Sequence, residues 1–307
     1  MCIHNAIAGH DGRHYVKNFG KITQYKGDGV TSVKTKLPIG VFDSGIGGVS
    51  VLAELIRMLP HEEFIYFADT LHAPYGTKPE TTVRELSLKA ADFLFTQGTK
   101  SIVVACNTAT SAAIGEMRKR HPFPVIGMEP AVKLAVESAG KGTILVMATP
   151  LTLKSMKFND LVNRHRQQAE IKLLPCERLV DIIEKDHNNA REINEYLSGV
   201  FSGIDRKGVS AVVLGCTHYV LIKKEIAHAL GGEIHIIDGN YGTARRLKTV
   251  LQNERLLNGA VHEVIPVSAK SNVKFYMSGS EREVVARYKQ WLLAAGIVCE
   301  SEFMYCR

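Results

Sequence analysis

No apolar run in this sequence is long enough to cross a membrane. Every candidate falls short of the roughly 18 uninterrupted apolar residues that a membrane helix requires. The N-terminus also lacks the continuous apolar core of a secretory signal peptide. We therefore expect a protein that neither spans a membrane nor is exported.

Cysteine is scarce for a chain of this length. Only six cysteines occur in 307 residues, and they are widely separated: Cys2, Cys106, Cys176, Cys216, Cys299 and Cys306. Small secreted domains that depend on disulfides carry a much denser pattern. The spacing argues against a disulfide framework and favours a reducing compartment, so we expect a cytoplasmic protein.

Basic residues are in small excess over acidic ones, and much of this excess lies at the N-terminal end of the chain. The formal net charge is +7, from 38 basic and 31 acidic residues. Residues 1–36 contain five lysines and one arginine against two aspartates, a local charge of +4. The remainder is nearly balanced, which makes nucleic-acid binding an unlikely main function. We interpret residues 1–36 as a basic N-terminal extension with one short strand near Lys21–Tyr25.

From residue 37 onwards, short apolar runs alternate with amphipathic stretches. The runs predict strands at Ile39–Phe42, Phe64–Ala68, Ile102–Ala105, Val125–Gly127, Ile144–Ala148, Ile171–Pro175, Val212–Gly215, Ile234–Ile237 and Val273–Met277. The stretches predict helices at Pro79–Thr96, Ser111–Arg120, Lys154–Arg166, Ala190–Ile204, Val220–Leu230, Tyr241–Leu251 and Glu281–Ala295. Such alternation indicates βαβ units, so the predicted fold class is α/β with mostly parallel sheets.

Two cysteines occupy matching positions 110 residues apart (216 − 106). Cys106 follows the apolar run Ser101–Ala105, and Cys216 follows Ala211–Gly215. In each case a polar pair that opens a predicted helix comes next, and the macrodipole at a helix N-terminus favours a thiolate. A free cysteine is usually a small buried hydrophobe, and we assign that role to the other four. The repeated setting predicts paired acid–base thiols across a cleft.

The matched units also predict two α/β halves. Glu129–Pro130 suits a crossover out of the first half, and Asp238–Gly239 suits the return. The predicted domains are the extension 1–36, a discontinuous first domain of 37–131 plus 240–307, and a second domain of 132–239. Parallel sheets bind ligands beyond the carboxyl ends of their strands, and the two cysteines lie there.

Other polar residues follow the predicted strands in the same way. Asp43 and Ser44 end the first strand and precede Gly45, Gly47 and Gly48, which would let the backbone approach a ligand at a helix start. The glycine spacing matches neither a dinucleotide fingerprint nor a P-loop. Asp43 is interpreted as a carboxylate that holds a substrate ammonium or manages a proton near Cys106, with a plain helix cap as the alternative.

The remaining candidates surround these elements. Asp69 and a turn containing Tyr75 and Gly76 follow the second strand, where backbone N–H groups could bind a carboxylate. The helix starts after the two cysteines contribute four further candidates, Asn107, Thr108, Thr217 and His218, and His218 could assist Cys216. Glu129 and Glu177 are weaker helpers, more typical of caps or surface carboxylates. Cys216-Thr217-His218 has no Cys-x-x-Cys companion, so we expect no metal.

Four motifs together resemble a known family. In order and spacing, the segments PIGVFDSGIGG, PYG, ACNTAT and LGCTHY, with the tail KFYMSGSEREVVARYKQWL, resemble the glutamate racemases of the aspartate/glutamate racemase superfamily. The resemblance covers roughly residues 37–307. The Gly-Cys-Thr-His form resembles glutamate racemases rather than aspartate racemases, which typically carry Glu after Cys-Thr. Val220 and Glu177 depart from the family pattern, each standing where proline is common.

The resemblance implies two Rossmann-like α/β domains related by pseudo-twofold symmetry, with the active site in the cleft between them. It implies interconversion of L- and D-glutamate without a cofactor, supplying D-glutamate for peptidoglycan. Cys106 and Cys216 would be the acid–base thiols, assisted by Asp43 and His218 respectively. The substrate site would be lined by Asp43, Ser44, Tyr75, Gly76, Asn107, Thr108, Thr217 and His218.

The resemblance also suggests partners. Some Gram-negative members carry an N-terminal extension involved in activation by an anionic peptidoglycan precursor, which makes such a precursor the candidate partner of residues 1–36. A homodimer is compatible with the sequence, which does not fix the oligomeric state. Two alternatives stay open: a racemase or isomerase of the same superfamily acting on aspartate, hydantoin or maleate, and a binding or regulatory protein that uses the basic extension.

Overall fold

The protein is described here by a computed structural model. It describes residues 15–18, 21–24, 34–128, 130–138, 142–186, 188–259, 273–279, 282–294 and 302–305. Most of the extension therefore lies outside the described residues, as does Glu129. Within the extension, β1 (Tyr15–Asn18) and β2 (Lys21–Gln24) pair antiparallel. The prediction of a single strand near Lys21–Tyr25 was incomplete, because a strand this short requires a partner for its backbone groups.

Ten further strands form two parallel sheets within the described residues. Their bounds are β3 (Ile39–Asp43), β4 (Phe64–Ala68), β5 (Ser101–Val104), β6 (Val125–Gly127), β7 (Thr143–Ala148), β8 (Glu170–Pro175), β9 (Val209–Gly215), β10 (His235–Asp238), β11 (Val273–Met277) and β12 (Glu302–Tyr305). The first sheet has the order β12-β11-β4-β3-β5-β6, and the second has the order β10-β9-β7-β8. The predicted α/β class with mostly parallel sheets is confirmed.

Helices connect the strands. Their bounds are α1 (Val49–Met58), α2 (Glu80–Thr96), α3 (Asn107–Arg120), α4 (Val132–Ser138), α5 (Pro150–Lys154), α6 (Met156–His165), α7 (Leu179–Asp186), α8 (Ala190–Val200), α9 (Lys223–Ala229), α10 (Asn240–Asn253) and α11 (Arg282–Ala294). Short 3-10 helices occur at Thr70–His72, Arg206–Gly208 and Thr217–Ile222.

Each sheet is covered by helices on both faces, which explains its apolar strands. The five residues of β3, for example, are all buried, as expected for a central strand of a parallel sheet. On the first sheet, α1, α10 and α11 contribute to one core cluster, and α2 and α3 contribute to the other. On the second sheet, α7, α8 and α9 pack on one face while α4 and α6 pack on the other.

Two predicted helices are corrected by the structure. The stretch Lys154–Arg166 is interrupted at Ser155, whose hydroxyl accepts from the N–H of Phe158 and so caps the start of α6. The stretch Val220–Leu230 begins instead as the 3-10 helix Thr217–Ile222 and becomes α-helical only at Lys223. Hydroxyl caps of this kind satisfy N–H groups that lack partners inside the helix, and apolar periodicity does not reveal them.

The chain leaves the first sheet after β6 and returns to it after β10. Following the return, α10 packs against α1, and β11 extends the first sheet by pairing with β4. The domain boundaries at 131/132 and 239/240 remain predictions. Within the described part of the chain, no helix is both long and apolar enough to cross a membrane.

A buried ion pair lies at the amino ends of the first sheet's strands. The Lys100 ammonium donates to the Glu62 carboxylate and to the Thr35 carbonyl, both at 2.5 Å. The other Glu62 oxygen accepts from the backbone N–H of Asn258 at 2.9 Å. Both side chains are only 1% exposed. Burial lowers the pKa of Lys100 and raises that of Glu62, each opposed by its partner.

Lys100→Met is expected to lower the free energy of unfolding by about 3–5 kcal/mol, because it leaves the Glu62 carboxylate buried without its counter-charge. Adding Glu62→Gln removes that charge but keeps an oxygen for Asn258, so the double variant should recover most of the loss. Urea unfolding measures both changes. Equal losses in the single and double variants would contradict this interpretation.

Candidate active site

Side chains predicted to carry chemistry meet where the two sheets face each other. They follow the carboxyl ends of β3, β4, β5 and β9, and their positions are fixed by the strands before them. Asp43, Ser44, Tyr75, Cys106, Asn107, Thr108, Cys216, Thr217 and His218 are all buried, the most exposed being Cys216 at 8%. Gly76 is buried with them. These side chains therefore form an interior site with little contact with solvent.

Cys106 is the N-cap of α3. Its sulfur accepts from the N–H of Ala109 at 3.4 Å and lies 3.6 Å from the Ser44 hydroxyl. Burial raises the pKa of the Cys106 thiol to about 12, and the negative charge of Asp43 adds to the rise. The N–H and hydroxyl contacts oppose the rise but do not overcome it. The helix start therefore lowers the pKa of Cys106 as such, but in this buried site desolvation is the larger effect.

Cys216 has a different setting. The helix that it precedes is the 3-10 helix Thr217–Ile222, and no N–H of that helix bonds to its sulfur. Its sulfur instead lies 3.9 Å from Nδ1 of His218. The prediction of two equivalent α-helix starts was therefore wrong. The buried side chains after Cys216 have fixed partners, for example Tyr219, which donates to the Cys176 carbonyl at 2.9 Å.

His218 is held by a carboxylate that the sequence did not reveal. Its Nε2 lies 2.7 Å from Oε1 of Glu184, on α7. The same oxygen accepts from the backbone N–H of Ile46 at 3.1 Å, and Arg287 donates to the Glu184 carbonyl. Burial opposes the imidazolium, but hydrogen bonds to Cys216 and Glu184 prevail and raise the pKa of His218 well above its usual value. Burial likewise opposes the Glu184 carboxylate, yet His218 and Ile46 hold its pKa below the usual value.

Glu184 was missed because it lies in an ordinary amphipathic helix, 34 residues from His218. The helpers that were considered do not fill its place. Glu177 is exposed, and Glu129 lies outside the described residues. No local pattern distinguishes Glu184 from other helical glutamates.

Asp43 connects the two halves. One of its oxygens accepts from the N–H of Gly45 at 3.0 Å, and the other accepts from the Thr217 hydroxyl at 3.3 Å. Burial raises the pKa of Asp43 to about 6, although the charge of His218 and the N–H groups of Gly45 and Gly48 oppose the rise. Asp43 is therefore mainly ionised at neutral pH while fully buried, a state that depends on these partners.

Gly47, which follows Asp43, and Gly76 both lie against the second half of the protein, although the glycines after Asp43 were expected to approach a ligand. A Cβ at Gly47 would lie 2.5 Å from the Thr217 hydroxyl and 2.6 Å from the His218 nitrogen. A Cβ at Gly76 would lie 2.6 Å from Cβ of Thr149. At these positions the first half lies against atoms of the second half, and not against an open ligand space. A side chain larger than that of glycine would therefore clash.

Hydroxyl and amide groups complete the site. The Thr108 hydroxyl lies 2.9 Å from that of Thr149, which also contacts Thr152 at 3.0 Å. Both of these threonines belong to the second half and were not predicted. The Asn107 side-chain oxygen is buried and has no hydrogen-bond partner among the described residues. An unsatisfied buried acceptor of this kind suits a ligand donor such as an ammonium.

The turn after β4 is held by its own side chains. The Tyr75 hydroxyl donates to one oxygen of Asp69 at 2.6 Å, and Nδ1 of His72 lies 2.8 Å from the other. The Asp69 N–H donates to the Asp43 carbonyl at 3.1 Å. This network fixes Tyr75 and Gly76 beside the Asp43 loop.

A cavity elsewhere among the described residues can be compared with this site. A cavity of about 530 Å3 lies beside Thr143 and Glu170, at the amino ends of β7 and β8 and therefore away from the thiols. Among the described residues, no cluster of three or more His, Cys, Asp or Glu side chains could hold a metal ion. The buried thiols and their carboxylate and imidazole partners are thus the best-supported reactive centre, with the chemistry of an acid–base enzyme.

Comparisons with known proteins agree with this class. Residues 39–247 match the family model described as Asp/Glu/Hydantoin racemase. A glutamate racemase of Clostridium novyi is 46% identical over 260 residues, covering 84% of this chain and 98% of that protein. The chain belongs to the Asp/Glu/Hydantoin racemase family and is an isomerase.

Solved structures show the same fold. The glutamate racemase of Francisella tularensis, in complex with D-glutamate, is 28% identical and superposes with a TM-score of 0.74, covering 89% of this chain and 98% of that one. The Escherichia coli glutamate racemase, in complex with L-glutamate and the activator UDP-MurNAc-ala, is 27% identical with a TM-score of 0.70, covering 88% and 98%.

The buried Asp43 carboxyl gives a test by pH. Because its pKa is higher in the folded protein (about 6, against 3.8), the stability that its neutral form contributes is present below about pH 4. That contribution is lost as the pH rises through about 6. The Asp43→Asn side chain stays neutral, so this variant does not lose that contribution. Its unfolding free energy should therefore rise by up to about 3 kcal/mol relative to that of the unchanged protein as the pH increases from 4 to 7.

Urea unfolding at intervals from pH 4.5 to 7.5 would measure this difference. The exposed Asp160→Asn variant controls for the loss of a carboxylate as such. A difference between Asp43→Asn and the unchanged protein that did not vary with pH would show that Asp43 is not buried as described.

Proposed function

We propose that the protein interconverts L- and D-glutamate by proton transfer between the substrate α-carbon and two thiols, without a cofactor. The support for glutamate comes from similar proteins named glutamate racemase, including the Clostridium novyi protein at 46% identity. The observation that carries the mechanism is the burial of Cys106 and Cys216 where the two halves meet, each with its own charged partner.

The thiols would act from opposite faces of the α-carbon. In one direction a thiolate takes the α-proton while the opposing thiol donates its proton to the other face. The first thiolate becomes a thiol and the opposing thiol becomes a thiolate, so no oxidant or co-reactant is needed, and the roles reverse for the other enantiomer. General acid–base catalysis by positioned groups typically contributes 10²- to 10⁴-fold.

The neighbours of the thiols differ, and so would their contributions. On the Cys106 side, burial favours the thiol and Asp43 would hold the substrate ammonium. That ammonium would lower the pKa of Cys106 by Coulomb attraction. On the Cys216 side, the His218 imidazolium, held by Glu184, would stabilise a thiolate. Both arrangements are formed before the substrate reacts, as electrostatic preorganisation requires.

The other polar groups would bind the substrate. The Asn107 oxygen suits the ammonium, and the hydroxyls of Thr108 and Thr217 suit carboxylate oxygens. The backbone around Tyr75 and Gly76, and the Ser44 hydroxyl, line the same space. The first domain would be 37–131 plus 240–307, and the second would be 132–239, with the substrate held between them.

The biological role would be the supply of D-glutamate for peptidoglycan in the cytoplasm. Among the described residues, Cys106, Cys176 and Cys216 are free thiols. The basic extension would bind an anionic peptidoglycan precursor, as an activator is bound in the Escherichia coli complex. Deleting residues 1–33 would test this while keeping Thr35, the partner of Lys100. Activity that such a precursor affects equally with and without the segment would contradict it.

Cys106→Ser and Cys216→Ser should each lower the racemisation rate about 10²- to 10⁴-fold, because each direction requires both thiols. Loss of the circular dichroism signal of L-glutamate measures the rate. Cys176→Ser is the matched control, since among the described residues this buried thiol bonds to the Leu174 carbonyl alone, and it should retain most activity. Near-normal turnover in either test variant would rule out the two-thiol mechanism.

Faster loss of the circular dichroism signal with L-aspartate than with L-glutamate would assign aspartate as the substrate.

A further inference from the structure

One peptide unit links the two halves of the site. The Gly45 carbonyl accepts from the Tyr66 hydroxyl at 2.9 Å. The Ile46 N–H donates to Oε1 of Glu184 at 3.1 Å. This carbonyl and this N–H belong to the same planar peptide, so a hydrogen bond that orients one end also orients the other.

Tyr66 is a rigid anchor for this peptide. It lies in β4, at a fully buried position, paired in register with Val41 of β3. Its ring packs between Phe275, with ring centroids 5.5 Å apart, and Tyr288, at 6.0 Å. The direction of the hydroxyl is therefore set by the sheet and by packing, and not by the loop to which it bonds.

Beyond Ile46, the hydrogen bonds continue into the second half. Glu184 Oε1 contacts Nε2 of His218 at 2.7 Å, and Nδ1 of His218 lies 3.9 Å from the Cys216 sulfur. A Cβ at Gly45 would overlap Glu184 Oε1, so this approach requires glycine. The same lack of a side chain leaves the peptide after Gly45 little resistance to rotation, and Tyr66 supplies that resistance.

We infer that Tyr66 is a positioning residue for the reaction. It holds the Gly45–Ile46 peptide so that the Ile46 N–H receives Glu184 when the halves close, which in turn fixes His218 against Cys216. A carbonyl that accepts a hydrogen bond also makes its peptide N–H a better donor. This inference rests on the proposed racemase function and adds a residue that touches neither the substrate nor a thiol.

Tyr66→Phe removes the hydroxyl and keeps the ring. We expect kcat to fall about two- to ten-fold, the range of a single lost hydrogen bond, with KM changed less than kcat because no substrate contact is lost. Tyr276→Phe is the matched control. Tyr276 lies in β11, beside β4, and its hydroxyl donates to Gln97 at 3.0 Å, so it loses a comparable bond far from Glu184 and should keep its kcat.

A double-mutant cycle with Glu184→Ala separates positioning from general stability. If Tyr66 acts through Glu184, then Tyr66→Phe should lower kcat in the unchanged protein but cause little further loss in the Glu184→Ala background. An unchanged kcat in Tyr66→Phe, or an equal loss in both backgrounds, would overturn the inference. If the unchanged protein failed to racemise glutamate, the proposed function would be wrong, which is a distinguishable result.

Discussion

The contact between the loop after β3 and the Cys216 segment determines most of what the site can do. In this contact Asp43 accepts from Thr217, and the same loop donates the Ile46 N–H to Glu184 on α7. Buried charges are costly unless they are paired and hydrogen-bonded, and this seam between the halves supplies the partners of Asp43, Glu184 and His218. Two of these contacts cross between the halves, from Thr217 to Asp43 and from Ile46 to Glu184, whereas the His218–Glu184 pair lies within the second half.

The two thiols have unequal surroundings. Cys106 caps an α-helix but is buried beside a carboxylate, and its pKa rises to about 12. Cys216 precedes a 3-10 helix and has an imidazolium beside it, which Glu184 maintains. The two cysteines follow similar strand ends, yet burial beside Asp43 favours the thiol form of Cys106, whereas Cys216 lies beside the His218 ring.

The sequence predicts the fold class and the polar residues that follow the strands, because both depend on short patterns. Alternating apolar runs indicate parallel sheets, and the polar residues after them must lie at the same edge; Asp43, Cys106 and Cys216 were found in this way. Glu184 and Thr149 were not found, because their roles depend on tertiary contacts between halves. The direction of the Cys106 pKa was also beyond reach, since it depends on how completely the site excludes water.

Deuterium transfer from solvent tests the central claim most directly. L-glutamate would be converted in deuterated water, and the α-position of both enantiomers would be examined by NMR at low conversion. Two thiols on opposite faces predict that the D-glutamate formed carries deuterium while the remaining L-glutamate keeps protium. D-glutamate that kept the original α-proton, or rapid deuteration of L-glutamate before any product formed, would contradict a two-thiol site.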